Sequence, residues 1–310
     1  MDPSFATEKY RKTFFDTQRK KTLSKTELTA ELVIPSYNRL DVLKRTLEQV
    51  RLLYPRLNIC LGLQGEMPDP QWEAEVKKDP LLRIERLYVP STTIELNHCI
   101  FTSQADIILL LDDDAVPHFG WLEAHVAAFT DNSDLAYTAG REVRSTKEKP
   151  AFSIYFRIIV ESFAGLFIKK DKKLNGRIVG WLNWFGIMFG NFDQPGICLI
   201  NSPRGCNMSV RRDFIMSIGG FNKAFRGNAW GFEADFGLRA AKEGKYGQYR
   251  GDAIVVHHEC PSGGTRELRK SQWFKDFLYN QRLVIHNIGP QAWLGALPRL
   301  VKNIIWVIRS

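Results

Sequence analysis

The 310-residue chain has only five cysteines (Cys60, Cys99, Cys198, Cys206 and Cys260), an odd number, and none forms a C-x-x-C pair. Scattered single cysteines exclude a disulfide framework and a zinc knuckle. No uninterrupted apolar run approaches the roughly 18 residues of a membrane-spanning helix. The N-terminus lacks the apolar stretch of a signal peptide, which predicts a protein made and kept in the cytoplasm. No G-x-x-x-x-G-K-[ST] segment occurs, so the phosphate loop of the Walker type is excluded. There are no internal repeats and no low-complexity tract. None of the usual nucleic-acid reader motifs is present, and no nucleic-acid partner is expected.

The chain has no shortage of positive charge: 43 Lys and Arg against 34 Asp and Glu give +9, with a pI near 9.3. Such a balance suits anionic partners: nucleotides, nucleic acid, which lacks a reader motif here, or an anionic membrane surface. Lys9, Arg11, Lys12, Arg19, Lys20, Lys21 and Lys25 concentrate in the first 28 residues, read as a basic solvated extension. Phe14 and Phe15 within it permit weak membrane contact. A hydrophobic content of 44% is enough for a sizeable core.

From residue 29 the pattern is that of an α/β domain. Short apolar strands at 31–35, 58–64, 82–89 and 106–111 alternate with helical spacing over 41–53, 70–78 and 92–103. Alternation with short links predicts a mostly parallel, Rossmann-like sheet flanked by helices. A helix from Pro117 to Phe129 and a strand over 135–139 follow. Residues 150–190, rich in Phe, Trp, Ile and Gly, read as an insertion of uncertain structure. Helices at 211–218 and 232–243, and a strand at 253–256, complete a domain spanning 29–262. Residues 263–310 form C-terminal helices: a long one over 265–287, then the tail 291–310. That tail is apolar around much of its circumference, with cations on the rest. It suits either docking on the protein's own surface or a helix lying in a membrane interface.

The most informative segment is Ile107-Ile108-Leu109-Leu110-Leu111-Asp112-Asp113-Asp114. A run this short and apolar reads as a buried strand, and its C-terminal end delivers three carboxylates to the edge where open α/β sheets bind ligands. A turn is the simpler account; a divalent cation carrying a phosphorylated ligand is the functional one. Asp112 and Asp114 point to the same side of an extended backbone, so one can reach a metal while the other meets ribose or a water. Asp113 is a supporting or ribose contact.

Three other segments accompany it. Pro35-Ser36-Tyr37-Asn38-Arg39 is a loop after the first strand, either an ordinary turn or a wall for a nucleotide. Trp230-Gly231-Phe232-Glu233-Ala234-Asp235 opens a helix. Its acids either stabilise the helix N-terminus or supply a general base for a hydroxyl nucleophile. Trp230 beside them is either core or a platform for an acceptor sugar. His257, at the end of the strand Val255-Val256-His257-His258, is a satisfied polar group or a nitrogen ligand for a metal held by oxygens. The loop Pro261-Ser262-Gly263-Gly264-Thr265-Arg266 is a linker or a basic flap over a diphosphate.

In this order, Val33–Arg39, Leu111–Asp114, Arg204-Gly205-Cys206-Asn207-Met208-Ser209-Val210-Arg211-Arg212 and Gly231–Arg239 resemble the family 2 glycosyltransferases of the GT-A fold over roughly residues 30–260. The resemblance implies inverting transfer of a sugar from a nucleoside diphosphate to an acceptor hydroxyl. It makes Asp112 and Asp114, with His257, the site of a Mg2+ or Mn2+ ion, and Glu233 the base, with Asp235 the other candidate. Pro35, Tyr37, Arg39, Gln64, Asp112, Asp113, Gly205 and Asn207 would bind the nucleotide sugar, and Trp230 the acceptor. The chain departs from the family pattern in three places. Phe232 replaces the first of two adjacent acids, Gln64 stands where an Asp commonly reads the nucleobase, and Leu96 precedes Asn97 in place of a basic residue.

The expected function is therefore hexosyl transfer to a glycan or lipid-linked acceptor, as in cell-surface polysaccharide synthesis, at the inner face of a membrane. Alternatives are a sugar nucleotidyltransferase and a catalytically silent nucleotide-sugar or membrane-binding module.

Overall fold

The structure, a computed structural model, describes residues 28–65, 69–130, 132–144, 172–258 and 269–308. Most of the basic extension, residues 150–171 of the insertion and the loop 261–266 lie outside the described residues.

The chain runs β1 (Ala30–Tyr37), α1 (Leu40–Leu53), β2 (Asn58–Gln64), α2 (Pro70–Val76), β3 (Leu82–Leu87), α3 (Thr92–Thr102) and β4 (Ile107–Leu111). Next come β5 (Ala115–Pro117), α4 (Trp121–Thr130) and β6 (Leu135–Arg144). Four two-residue strands follow: β7 (Lys173–Leu174), β8 (Arg177–Ile178), β9 (Trp181–Leu182) and β10 (Met188–Phe189). The remainder is β11 (Ile197–Ile200), β12 (Asn207–Arg211), α5 (Arg212–Ser217), α6 (Phe232–Lys242), β13 (Tyr246–His257), α7 (Lys270–Ile288) and α8 (Trp293–Ile308).

Local chemistry accounts for the helix starts. Asp69 accepts from the Trp72 amide (2.9 Å) with Pro70 in the first turn of α2, and Ser91 accepts from the Ile94 amide at the start of α3. In α1, Leu43, Thr46, Leu47 and Val50 are buried at helical spacing, which lays one stripe on the sheet. All five residues of β4 are buried, as expected of a strand covered on both faces.

The strands form one nine-stranded sheet in the order β11-β13-β6-β12-β4-β1-β2-β3, with β5 pairing β13. Strands β1, β2, β3, β4, β6 and β13 run in one direction; β5, β11 and β12 run opposite. This register assembles one edge. Parallel β1, β2 and β4 end there at Tyr37, Gln64 and Leu111, and antiparallel β12 begins there, with Asn207 opposite Leu111. β6 and β13 end there together, with His257 opposite Arg144.

Some expected boundaries move. Residues 115–117 pair with β13, Ala115 opposite His257, so the helix expected from Pro117 begins only at Trp121. β6 and β13 are longer than their apolar cores suggested, because mutual pairing carries both past the polar residues at their ends. The described part of the insertion forms two small ribbons, β7-β8 and β9-β10.

Asn207, expected to touch the nucleotide sugar, sits instead in the core at 1% exposure. Its amide nitrogen donates to the carbonyls of Ala253 (2.9 Å) and Arg141 (3.1 Å), which orients the side chain. Its oxygen then accepts from Trp121 Nε1 (2.7 Å) and His125 Nε2 (3.0 Å). Burial pushes the His125 imidazole down to about 4, so it is neutral. With the proton on Nε2, its Nδ1 accepts from Thr138 Oγ1 (2.6 Å). One side chain thus ties β12 to α4, β6 and β13. Asn207→Ala strips partners from several buried groups and is expected to lower the unfolding free energy by about 2–4 kcal/mol in urea denaturation. An unchanged midpoint would contradict the bracing role.

Candidate active site

Pro35–Tyr37, expected as a loop, continue β1 in register with β2, and this strand end, Arg39 after it and the acids after β4 are built as one unit. The Asp113 side chain is fully buried. It accepts from Ser36 Oγ (2.6 Å) and Arg39 Nε (3.1 Å) and is ion-paired with the Arg39 guanidinium, while its carbonyl accepts from Thr46 Oγ1 (2.6 Å). Burial pushes the Asp113 carboxyl up to about 7 against the opposing pull of Arg39. Its oxygens are committed to the loop, which makes it the joint between β1 and β4; the supporting role, not the ribose contact, is the one the geometry gives it.

Asp114 accepts from Arg39 Nη1 (3.3 Å) and lies 3.0 Å from His257 Nε2. Asp112 Oδ2 is 3.9 Å from the same nitrogen. Asp112, with about 40% of its side chain exposed, is the accessible member of the group. Partial loss of solvent within the cleft raises its pKa even so, His257 opposes that, and Asp114 adds to it. One ligand atom each from Asp112, Asp114 and His257 falls within 4.8 Å of the others. Two carboxylates and an imidazole are a fitting donor set for a hard or borderline divalent cation.

The other ring nitrogen of His257 reveals a residue that sequence inspection missed. Nδ1 lies 2.8 Å from Glu142 Oε1, so a carboxylate behind the histidine fixes its ring, as metal-binding histidines commonly require. Glu142 also meets Arg204 Nε (2.8 Å) and Arg144 Nε (3.2 Å), and these cations with His257 hold its pKa low despite burial. The link depends on the β6–β13 register, between residues 115 positions apart, and no local signal marks it.

Glu233 opens α6. Its Oε1 accepts from the Gly205 amide at 3.1 Å. A Cβ on Gly205 would stand 2.9 Å from that oxygen, so a larger residue there would push the Glu233 carboxylate aside. Burial pushes the Glu233 carboxyl up to about 7, while backbone amides and Arg204 pull the other way.

Asp235, the other base candidate, is placed elsewhere. Two residues along a helix turn the side chain by slightly more than a half-turn, and Asp235 is buried against Arg239 Nε (2.9 Å) and Asn287 Nδ2 (2.6 Å) on the packed side of α6. Gln64 lines the site with both amide ends engaged on Ser91, donating to its carbonyl (3.0 Å) and accepting from its amide (3.2 Å). Trp230 packs against Phe277 (4.9 Å between centroids) and carries the Arg299 guanidinium at 4.8 Å.

Two cavities meet here. The smaller, about 470 Å3, is lined by Pro35, Tyr37, Arg39, Gln64, Ser91 and the three aspartates, with Gln272 and Asp276 of α7. The larger, about 930 Å3, is lined by Arg141, Glu142, Met188, Phe189, Phe192, Arg204, Trp230 and Arg299 of α8, among others. Asp112, Gly205, Cys206, Asn228, Glu233 and His257 border both. The C-terminal helices therefore wall the site as well as covering the domain.

The model of glycosyl transferase family 2 matches residues 31–187, 157 of the 310. The chain belongs to this family. Among solved structures, this glycosyltransferase is similar to GalNAc-T7 with UDP, GalNAc and Mn2+, at 14% identity and a TM-score of 0.61, over 84% of this chain and 48% of that one. It thus spans about half the length of that protein. It is also similar to the mannosyltransferase PcManGT from Pyrobaculum calidifontis in complex with GDP-Man and Mn2+, at 14% identity and a TM-score of 0.53, over 97% of this chain and 83% of that one. The GT-A fold expected from the sequence is thereby established, as the identities are low enough to speak for fold alone. No curated protein matches the sequence.

The contrast between the two acids of α6 has a measurable consequence. Asp235→Asn weakens a buried ion pair and is expected to cost about 1–3 kcal/mol in urea denaturation. Glu233→Gln keeps the shape of an enclosed carboxyl without its charge and should stay within about 1 kcal/mol of the parent. Equal losses in both would remove the distinction.

Proposed function

We propose that the chain is an inverting, metal-dependent hexosyltransferase that moves a sugar from a nucleoside diphosphate to a hydroxyl of a glycan or lipid-linked acceptor. The observation that carries this reading is the position of Glu233, in the wall shared by the two cavities with Asp112 and His257. The smaller cavity takes the nucleotide between Pro35–Arg39, which is the end of β1 and the turn after it, and Gln64. The larger takes the acceptor. Asp112, Asp114 and His257 would hold Mg2+ or Mn2+, which supplies neutralisation of the leaving diphosphate.

In the reaction, Glu233 accepts the proton of the acceptor hydroxyl. The oxygen attacks the anomeric carbon from the face opposite the diphosphate. The new C–O bond forms as the bond to the diphosphate oxygen breaks, and the configuration inverts. A hydroxyl is a poor nucleophile near neutral pH, so a base poised near 7 suits the step.

The membrane part of the proposal rests on α8. Leu294, Leu297, Val301, Ile304 and Ile305 are exposed along it. Exposed Trp184 and Phe185 lie beside its first turn, where the Gly295 amide donates to the Phe185 carbonyl (2.8 Å). Among the described residues no helix is long and apolar enough to cross a membrane, and an apolar helix face with flanking aromatics suits interfacial binding.

Incubation with a panel of nucleotide sugars should release nucleoside diphosphate from one of them. EDTA should abolish the release, and Mn2+ or Mg2+ should restore it; binding without turnover across donors and acceptors would favour a silent module. Below about pH 7 the Glu233 carboxyl is protonated and cannot accept a proton, so turnover should fall about tenfold per pH unit on the acid side and level off above it. Glu233→Gln should lose turnover while retaining nucleotide binding. For the membrane, Leu297→Asp combined with Val301→Asp should reduce cosedimentation with anionic vesicles at least tenfold, and unchanged partition would refute interfacial binding.

A further inference from the structure

The larger cavity holds two guanidinium groups with no carboxylate to answer them. Arg141 Nε is buried without a hydrogen-bond partner, and its side chain makes no ion pair with any described residue. Arg299 reaches in from α8 and rests on the Trp230 ring at 4.8 Å, again without an ion pair among the described residues. Burial alone depresses the basicity of Arg299, with no anion pulling in the other direction.

The acids around the same cavity are committed elsewhere or stand apart. Glu142 is bound by His257, Arg144 and Arg204. Asp112 belongs to the carboxylate–histidine group, and Glu233 takes the Gly205 amide. Asp193 is exposed and accepts from Gln194 (2.9 Å). Enclosing an unpaired cation is unfavourable, so a site that keeps two of them is built for an anion that arrives later. Guanidinium groups match the planar or tetrahedral oxygens of a carboxylate or phosphate. Neither arginine borders the smaller cavity, which already has Arg39 and the metal-binding group for the donor.

We propose that the larger cavity takes an acceptor carrying an oxyanion, phosphate or carboxylate, which Arg141 and Arg299 hold while the acceptor's hydroxyl is presented to Glu233. This rests on the transferase reading of Glu233 and adds the chemical class of the acceptor. It also gives α8 a second role, since the helix with the apolar outer face carries the arginine that grips the substrate.

The test is isothermal titration calorimetry on the full chain, first saturated with nucleoside diphosphate and Mn2+ so that the donor cavity is filled. Geranyl phosphate and glucuronate are the oxyanion probes, with geraniol and glucose as their uncharged counterparts. At least one oxyanion should bind, at least tenfold more tightly than its counterpart, and which of the two does so tells phosphate from carboxylate. Arg141→Gln and Arg299→Gln, checked by circular dichroism and Tm, should each weaken that binding at least tenfold, and Arg299→Lys should recover part of it. Three results overturn the proposal: no oxyanion binding to the saturated protein, binding indifferent to both Gln variants, or direct competition with the nucleoside diphosphate, which would assign the arginines to the donor. Failure of the nucleoside diphosphate to bind would instead refute the transferase reading. The titration without nucleotide, with the same variants, then still decides whether the arginines form an anion site.

Discussion

Three adjacent carboxylates at the end of β4 repel one another, and the surroundings of the site answer that repulsion. Arg39 neutralises Asp113 and reaches Asp114, which draws the loop after β1 onto the end of β4. His257 neutralises the other side, which draws the end of β13 to the same place. The pairing of β5 with β13 then closes the turn between them. At about 4 Å and an intermediate dielectric, like charges oppose each other by roughly 4 kcal/mol. That scale explains why two cations from distant parts of the chain are recruited to one turn, and why only Asp112 is left facing outward.

The cationic answer is itself layered. His257 is held by Glu142, and Glu142 by Arg204 and Arg144. Charges alternate outward from the aspartates, each satisfied by the next. Such a chain is stiff, because moving one member strands its neighbour in a poorly solvated place. The group of Asp112, Asp114 and His257 is therefore preorganised by electrostatics as well as by the sheet.

Much of this was legible in the sequence, and the limits have physical causes. The strand carrying the aspartates announces itself because a buried strand must be apolar on both faces. Glu233 and His257 stood out as candidates because residue type and strand or helix end coincide with a chemical need, and both border the two cavities. Asp235 and Asn207 were ambiguous because polarity does not say which way a side chain points. Asp235 turns toward Arg239 and Asn287, and Asn207 is spent joining four elements. Glu142 was invisible because its meaning comes from a strand register across 115 residues. Arg299 was read only as a cation on an apolar tail, since nothing local shows that the tail folds back over Trp230.

The common wall between the two cavities has a kinetic meaning. Six residues border both spaces, so what occupies one lies a single layer of side chains from what occupies the other. For a transferase of the proposed kind, a filled donor chamber becomes part of the floor on which the second substrate lands. Both must then be present at once, and a shuttle in which the first product leaves before the second substrate enters has no place in this architecture. Water is the natural competitor whenever the larger chamber is empty, and the tightness with which that chamber is filled sets how much sugar is wasted.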